Sequence, residues 1–476
     1  MRRIAKTGGA IALVIGSGFG PGHFAVSGAE AQTAAPAASV ETLLPQGSVL
    51  SPDDMRRAAV QAVRARQPAV ALRISDALLQ RDPDDVAALI IRSRALRDLG
   101  RADEAYELAR RAWDLADEDS LKYNAALVAA QALSTEGRRT RAQLWLRRAT
   151  QHAPSERHRQ AAVRDFRLVR SINPLQLQLG FHVAPNSNVN NGSIHDSSPL
   201  FGWPVEFDLF GTARALSGVE YGAQVAGRYR LVDTPTRRDD LNFQLAHTGY
   251  TLSSEAREIA PDAEGSDFAT TTAMLGYSHS APLAALRGPY RVDASLGQTW
   301  YGGDPLLRFY RLGVQQTVPL TPATAGTVSL SHEWQQGFGG RDDARHATLG
   351  ASVDHRLESG HRLTVGLGYT DARADAAGLA FHQTRLHARL TLARPVMNMA
   401  LDFGLSAAAK EYPVSVHSAD GRQERTVTAD VTATFLGIEY YGFSPSLTAS
   451  YSRTDANVKL YDRENFGIQL GIRSAF

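Results

Sequence analysis

Phe466-Gly467-Ile468-Gln469-Leu470-Gly471-Ile472-Arg473-Ser474-Ala475-Phe476 is the stretch on which the fold turns. Phe466, Ile468, Leu470, Ile472 and Phe476 fall on one side of an extended chain, while Gly467, Gln469, Gly471 and Arg473 fall on the other. That is the two-residue repeat of a β-strand. A soluble sheet with one covered face gives the same alternation, so one strand decides nothing and repetition must.

Upstream the pattern recurs. Leu363, Val365, Leu367 and Tyr369 alternate with Thr364, Gly366 and Gly368, and Val427, Ala429, Val431, Ala433 and Phe435 alternate with Thr428, Asp430, Thr432 and Thr434. Leu386, Ala388, Leu390 and Leu392 alternate with Arg385, His387, Arg389 and Thr391. About fourteen such segments, from 175–183 to 461–476, are separated by Gly-, Pro- and Asp-containing turns. Dyad-period segments of roughly ten residues joined by turns are the signature of a transmembrane antiparallel β-barrel, and an even strand number is the bacterial rule. The apolar set then faces lipid, and Arg385, His387, Arg389 and Asp430 face a wet lumen. Closure is required because hydrocarbon offers no partner to an open strand edge. Phe466, Ile468, Leu470, Gly471, Ile472 and Phe476 also make the pattern of a C-terminal barrel-insertion signal, with Ser474 at a position more often apolar.

Composition agrees with a folded, exported chain. The 476 residues are 43% hydrophobic and 21% charged with a formal net charge of +2, which leaves room for two domains and gives no basic patch for nucleic acid. With no cysteine there is no disulfide framework, no thiolate zinc site and no lipid-modified N-terminal cysteine. Residues 1–31 carry Arg2, Arg3 and Lys6, an apolar Gly/Ala/Ile/Val stretch and Ala29-Glu30-Ala31, the pattern of a secretory signal peptide. Residues 32–51, rich in Ala, Pro, Thr and Ser, read as a flexible lead-in.

Residues 52–171 change to an Ala/Leu/Arg/Asp/Glu composition with helical spacing. Gly100, Ala105 and Ala112 recur as Gly137, Ala142 and Ala149, an offset of 37 residues, and Pro83 recurs as Pro154. Alanines suit close helix approach, glycines end a helix, and prolines follow one. The stretch resembles tetratricopeptide repeats, about two complete units with flanking helices, whose concave face implies a peptide or protein partner. Arg138, Arg139, Arg141, Arg147 and Arg148 form a basic run that reads either as a patch for an acidic segment or as a solvated helix face. Helical spacing stops at Ser171-Ile172-Asn173-Pro174, and the barrel region, 175–476, follows.

With an even strand count both barrel ends lie on the periplasmic side, with the repeats. Glu358-Ser359-Gly360 and Arg394-Pro395-Val396 are then periplasmic turns, and the longer 184–218 and 253–266 segments are external. Tyr250, Tyr277, Tyr301, Tyr369, Tyr440, Tyr441 and Tyr451 near strand ends are candidates for interfacial aromatic girdles.

The most specific local sequence is Gly180-Phe181-His182-Val183-Ala184-Pro185-Asn186-Ser187-Asn188-Val189-Asn190-Asn191-Gly192. Asparagine side chains bond neighbouring backbone and tolerate left-handed conformations, so this reads as a self-bonded loop after a strand. Here the chain resembles the Slam family, the surface lipoprotein assembly modifiers. The family motif is carried by Pro185, Ser187, Asn188 and Asn190, and the terminal Arg473-Ser474-Ala475-Phe476 fits the same family. The resemblance implies a signal peptide, periplasmic tetratricopeptide-like repeats and a fourteen-strand outer-membrane barrel. It also implies movement of a protein cargo to the cell surface, either a surface lipoprotein or a soluble secreted protein such as a haem-binding protein. Periplasmic chaperones and the barrel assembly machinery are the further partners it implies.

An exopolysaccharide export porin or a general diffusion porin is the alternative. Sugar exporters carry more repeats and tend to line the pore with one charge sign, whereas Arg385, Arg389 and Arg473 here share the inward set with Asp430 and Glu333. An enzyme is not expected: there is no H-E-x-x-H or G-x-S-x-G pattern, and His387 reads as a solvated pore residue. No cofactor or metal is expected.

Overall fold

A computed structural model describes residues 50–474 apart from 202, 204, 284, 286 and 377. The leader expected at 1–31, the lead-in up to residue 49, and the terminal Ala475 and Phe476 lie outside the described residues. The chain divides at Asn173 and Pro174 into two compact units, each with its own interior.

The first unit is helical: α1 (Pro52–Arg64), α2 (Pro68–Arg81), α3 (Val86–Asp98), α4 (Ala102–Leu115), α5 (Asp119–Thr135), α6 (Arg139–Gln151) and α7 (Glu156–Ile172). Each helix packs on the next, and α3 also touches α1 and α5. Caps set the starts. Ser51 Oγ accepts from Asp54 N–H ahead of Pro52, and the Asp85 carboxylate accepts from Ala88 N–H at 3.0 Å. Gly100 and Gly137 set two of the stops with φ of +81° and +76°. Arg101 N–H reaches Leu96 O and Arg138 N–H reaches Leu133 O, both at 2.9 Å, so one left-handed closure recurs 37 residues on. Between the helices Ala105, Ala109, Ala126, Ala129, Ala142 and Ala149 are fully buried around Leu133, Trp145 and Phe166.

The basic run belongs to this packing. Arg141 lies 4.9 Å from the Tyr106 ring centroid, Arg147 4.7 Å from Phe166 and Arg148 4.3 Å from Trp145, while Arg138 pairs with Asp103 at 3.2 Å. The guanidiniums of Arg141, Arg147 and Arg148 cover aromatic faces, a use of arginine that a charge pattern does not reveal.

The second unit begins with β1 (Leu175–Asn186), followed by a short hairpin of β2 (Ser197–Pro199) and β3 (Glu206–Asp208). Then come β4 (Gly218–Thr234), β5 (Arg237–Leu252), a helix α8 (Ser254–Ile259), β6 (Thr270–Leu283), β7 (Gly288–Tyr301), β8 (Asp304–Thr321) and β9 (Thr324–Gly337). The series ends with β10 (Ala344–Arg356), β11 (Arg362–Ala374), β12 (Phe381–Thr391), β13 (Met399–Tyr412), β14 (Arg422–Phe435), β15 (Phe443–Ala456) and β16 (Arg463–Ser474). All except β2 and β3 form one closed, antiparallel, fourteen-strand barrel in which β1 lies between β4 and β16.

The outside of this barrel is its apolar face. Leu330, Leu349, Leu367, Leu386 and Leu405 are each more than half exposed. A continuous band of exposed leucine is unfavourable in water and satisfied by lipid. No described helix is long and apolar enough to cross a membrane, and the strands supply the crossing. The two longest connections, 187–217 and 253–269, leave β1 and β5 at one end, here called the mouth. The turns at Glu358-Ser359-Gly360 and Arg394-Pro395-Val396 lie at the other end, the base.

Candidate functional site

The side chains of Asn186, Ser187, Asn188 and Asn190 each have a structural task. Asn186 Oδ1 accepts from Asn188 N–H at 2.8 Å and from Asn465 Nδ2 at 2.9 Å. Buried Asn188 exchanges two 2.9 Å bonds with Gly192, donating Nδ2–H to its carbonyl and accepting its N–H, and also reaches Glu464 O at 3.4 Å. Asn190 Nδ2 donates to Thr212 O and Arg214 O at 2.9 and 2.8 Å, and its Oδ1 accepts from Leu216 N–H at 2.9 Å. Ser187 Oγ accepts from Phe466 N–H at 2.9 Å. Gly192 must be glycine, since a Cβ there would lie 2.1 Å from Arg214 O. The stretch is therefore more than self-bonded: Asn186, Ser187 and Asn188 tie the end of β1 to the start of β16, some 277 residues on. Asparagine suits the task because it offers a donor and an acceptor on one short arm.

That tie sits where the barrel closes. On one side β1 is in continuous register with β4 from Leu175↔Tyr229 to Asn186↔Gly218. Toward β16 the described register consists of His182↔Gly471, Val183↔Leu470 and Asn186↔Gly467. Pro185 lies in the gap and has no N–H to give. The side-chain bonds of the motif thus reinforce a sparse backbone ladder.

From this clasp the 187–217 connection packs on the neighbouring loops at the mouth. Val189 and Leu216 join Leu252, Ala256, Ala260 and Phe268 in a small apolar core with Tyr250 and Tyr301 packed against it. Tyr250 and Tyr301 therefore stabilise the cap and are not in the expected aromatic girdle, whereas Tyr277, Tyr369, Tyr440 and Tyr451 are exposed. Neighbouring mouth loops are tied in by His195 Nε2 with Asp462 at 2.8 Å, Leu460 N–H with Ser198 Oγ at 3.1 Å, and Phe201 N–H with His417 O at 2.9 Å. Burial, with Arg422 nearby, holds His417 below the ordinary imidazole range, and its Nδ1 lies 2.7 Å from the Tyr461 hydroxyl. The β2–β3 hairpin, α8 and this core were not read from the sequence. Three-residue strands carry no measurable period, and the core is assembled from residues up to 79 positions apart.

Inside, Arg385, His387 and Arg389 occupy the inward face of β12, alternating with outward Leu386. Arg389 meets Asp430 of β14 at 3.4 Å across Gly404, where a Cβ would lie 2.2 Å from Asp430 Oδ1. The His387 ring lies over Gly366 in the same way, at 2.3 Å from a would-be Cβ. Thus Arg389 and Asp430 are brought together, while Arg385 and His387 stand apart from the motif on a different sector of the wall. Other inward cations have carboxylate partners: Arg228 with Asp240 (3.9 Å), Arg230 with Asp233 (2.7 Å), Arg291 with Asp293 (3.1 Å) and Arg311 with Glu333. Arg422 and Arg463 share Glu424 at 3.0 and 2.9 Å, and Arg473 meets Asp402 at 3.5 Å. On β14 and β15 the wall is hydroxylic, with Thr426 to Thr454, Thr428 to Ser452 and Thr432 to Thr448 at 2.8 to 3.0 Å. Of the insertion-signal residues, Phe466, Ile468, Leu470 and Ile472 are exposed on the outer face and Gly471 abuts Ser446 Oγ at 3.2 Å from a would-be Cβ.

Residues 176–476 match the family described as Surface lipoprotein assembly modifier, and the chain belongs to that family. Among solved structures it is similar to OccAB3 of Acinetobacter baumannii, at 11% identity over 63% of this chain and 99% of that one, with a TM-score of 0.35. It is also similar to the COG4313 outer membrane channel of Pseudomonas putida F1, at 14% identity over 62% and 93% with a TM-score of 0.32. A third similarity is to the Yersinia enterocolitica type III secretion translocator chaperone SycD, at 17% identity over 26% and 86% with a TM-score of 0.23. No curated protein matches the sequence.

Proposed function

We propose that this member of the surface lipoprotein assembly modifier family is an outer-membrane translocon. In this reading it carries a specific protein cargo, a surface lipoprotein or a soluble secreted protein, from the periplasm to the cell surface. The helical unit stands in the periplasm, where its recurring glycine-capped helix pairs serve as a tetratricopeptide-like platform for cargo or chaperones. No reaction chemistry is assigned to the chain. The observation that carries the reading is the mouth: in a barrel of this family with a polar lumen, the long loop after β1 is held in a defined fold by Asn188 and Gly192 and by its own apolar core. Paired charges of both signs on the lumen wall favour this reading over a sugar exporter with one dominant charge sign.

Surface proteomics tests this. A deletion strain is compared with the same strain complemented by this chain, with surface lipoproteins and medium fractions quantified separately. Loss of one or two specific proteins, with their precursors held in the periplasm, is the expected result. An unchanged protein surface and medium would refute the translocon reading and turn attention to exopolysaccharide release.

A further inference from the structure

Toward the mouth two inward cations depart from the pattern of paired charges. Among the described residues Lys410 and Arg385 have no ion pair and no hydrogen bond. They are close neighbours: Lys410 of β13 stands opposite Gln383 of β12, and Arg385 is two residues further along the same inward face, opposite Ala408. Diagonal positions of this kind are roughly 7–8 Å apart.

Lys410 is held by aromatic faces, and Glu424, opposite it on β14, is shared by Arg422 and Arg463. Its Nζ lies 3.8 Å from the centroid of the Phe381 ring and 4.6 Å from that of Tyr412, both buried. Beyond Tyr412 the Arg422 guanidinium is sandwiched, 3.6 Å from the Tyr412 centroid and 3.9 Å from that of Tyr461. A ring attracts a cation through its quadrupole but accepts no full N–H hydrogen bond, so the Lys410 donors stay unspent. Arg422 is already ion-paired with Glu424, whereas Lys410 and Arg385 have no carboxylate within ion-pair distance among the described residues.

We propose that Lys410 and Arg385 form a binding site for an acidic stretch of polypeptide in extended conformation. Two unspent cations in a partly desolvated wall call for oxyanions, and the guanidinium fork matches a carboxylate in particular. The spacing selects the source. In an extended chain residues i and i+2 project to the same side and are roughly 7 Å apart, so alternate Asp or Glu side chains meet both cations at once. The site lies on the lumen face, which a passing polypeptide reaches and the headgroup of a membrane-embedded lipid does not. This deepens the translocon reading and rests on it for the idea that a polypeptide passes.

The test is binding of dye-labelled hexaglutamate to the full-length folded protein in detergent micelles, read by fluorescence anisotropy at low salt. Saturable binding is expected for hexaglutamate and none for hexalysine. The double variant Arg385→Gln/Lys410→Gln should weaken it by at least about tenfold, the scale of one charge-assisted hydrogen bond. Lys410→Arg should retain it, and Arg291→Gln/Arg473→Gln, which removes the same net charge from paired positions, should leave it unchanged. Equal binding by wild type and double variant, equal weakening by the paired-position control, or no binding at all overturns the proposal. Inorganic pyrophosphate binding as tightly as hexaglutamate also overturns the polypeptide assignment. If the double variant lacks the heat-modifiable gel band of a folded barrel, the single variants Lys410→Gln and Arg385→Gln carry the same comparison. No cargo enters this assay, so its failure is separable from an unchanged surface proteome.

Discussion

Leu133 and Leu367 are the same residue under opposite rules. In the helical unit Leu133 is fully buried among alanines, whereas in the barrel Leu367 is more than half exposed on the outer face. Each placement is favourable because each leucine is out of water, one by protein packing and the other by lipid. The helical unit therefore keeps its polar groups outside and the barrel keeps its polar groups inside. For this chain the solvent, and not the hydrophobic fraction, decides which face is the functional one.

The largest effect should come from breaking the helical half of that comparison. Leu133→Ala leaves a cavity that the close-packed alanines have little freedom to fill, at a cost of about 2–5 kcal/mol. Chemical denaturation of the full chain, followed by far-ultraviolet ellipticity for the helices and by the heat-modifiable band for the barrel, should show the helical transition moving alone. At Leu367 the same truncation leaves no cavity, because lipid fills the space. If Leu367→Ala cost as much as Leu133→Ala, the outer face would be packed against protein and the membrane reading of the barrel would fail.

The second effect inverts the test. Leu367→Arg puts a guanidinium where the barrel meets lipid and should cost about 2–4 kcal/mol if the site lies near the bilayer midplane. Folding into lipid vesicles should drop while the helical transition stays in place. Arginine two strands away at the inward position 404, replacing Gly404, would be a different experiment, since it fails by collision with Asp430 and not by charge.

How far the sequence carried this architecture follows from the same contrast. A lipid-facing strand must alternate along its whole crossing, so the strand number and most strand limits were legible, the observed β9 (Thr324–Gly337) against an expected 324–338 being one instance. Helix pairing was legible through Gly100 and Gly137, whose positive φ requires a residue without Cβ. The mouth was not. Asn186, Ser187 and Asn188 announce a turn locally, but their partners at Glu464, Asn465 and Phe466 are set by barrel closure, which no local pattern encodes. Lys410 was likewise passed over, because Glu424 opposite it on β14 is taken by Arg422 and Arg463, a competition that no local pattern encodes.

A third, smaller effect is expected at that clasp. Asn188→Ala removes both bonds to Gly192 and leaves buried backbone groups unsatisfied, at about 1–3 kcal/mol. The strain should appear as faster protease nicking of the 187–217 connection, with barrel and helices still folded. Nicking unchanged by Asn188→Ala would mean that the apolar core of the cap, and not the motif, holds the loop.

The smallest effect tests whether the helical unit depends on charge as the barrel wall does. Asp85 caps α3, and although burial alone would raise its carboxyl, the Arg56 guanidinium at 2.7 Å and the Ala88 N–H together hold it below the usual carboxylate range. A carboxyl depressed in the folded state contributes stability above its unfolded value and loses that contribution as pH falls through its folded one. The helical transition should therefore be steady from neutrality down to about pH 4 and weaken below it. Arg56→Gln removes the main cause of the depression, so the variant should be less stable than wild type at neutral pH, by about 1 kcal/mol, and the gap should narrow below pH 4. Parallel curves for the two proteins across that window would show that the cap is held by the backbone bond to Ala88 alone. The pairing of charge in the helices would then be incidental, unlike the pairing that lines the lumen.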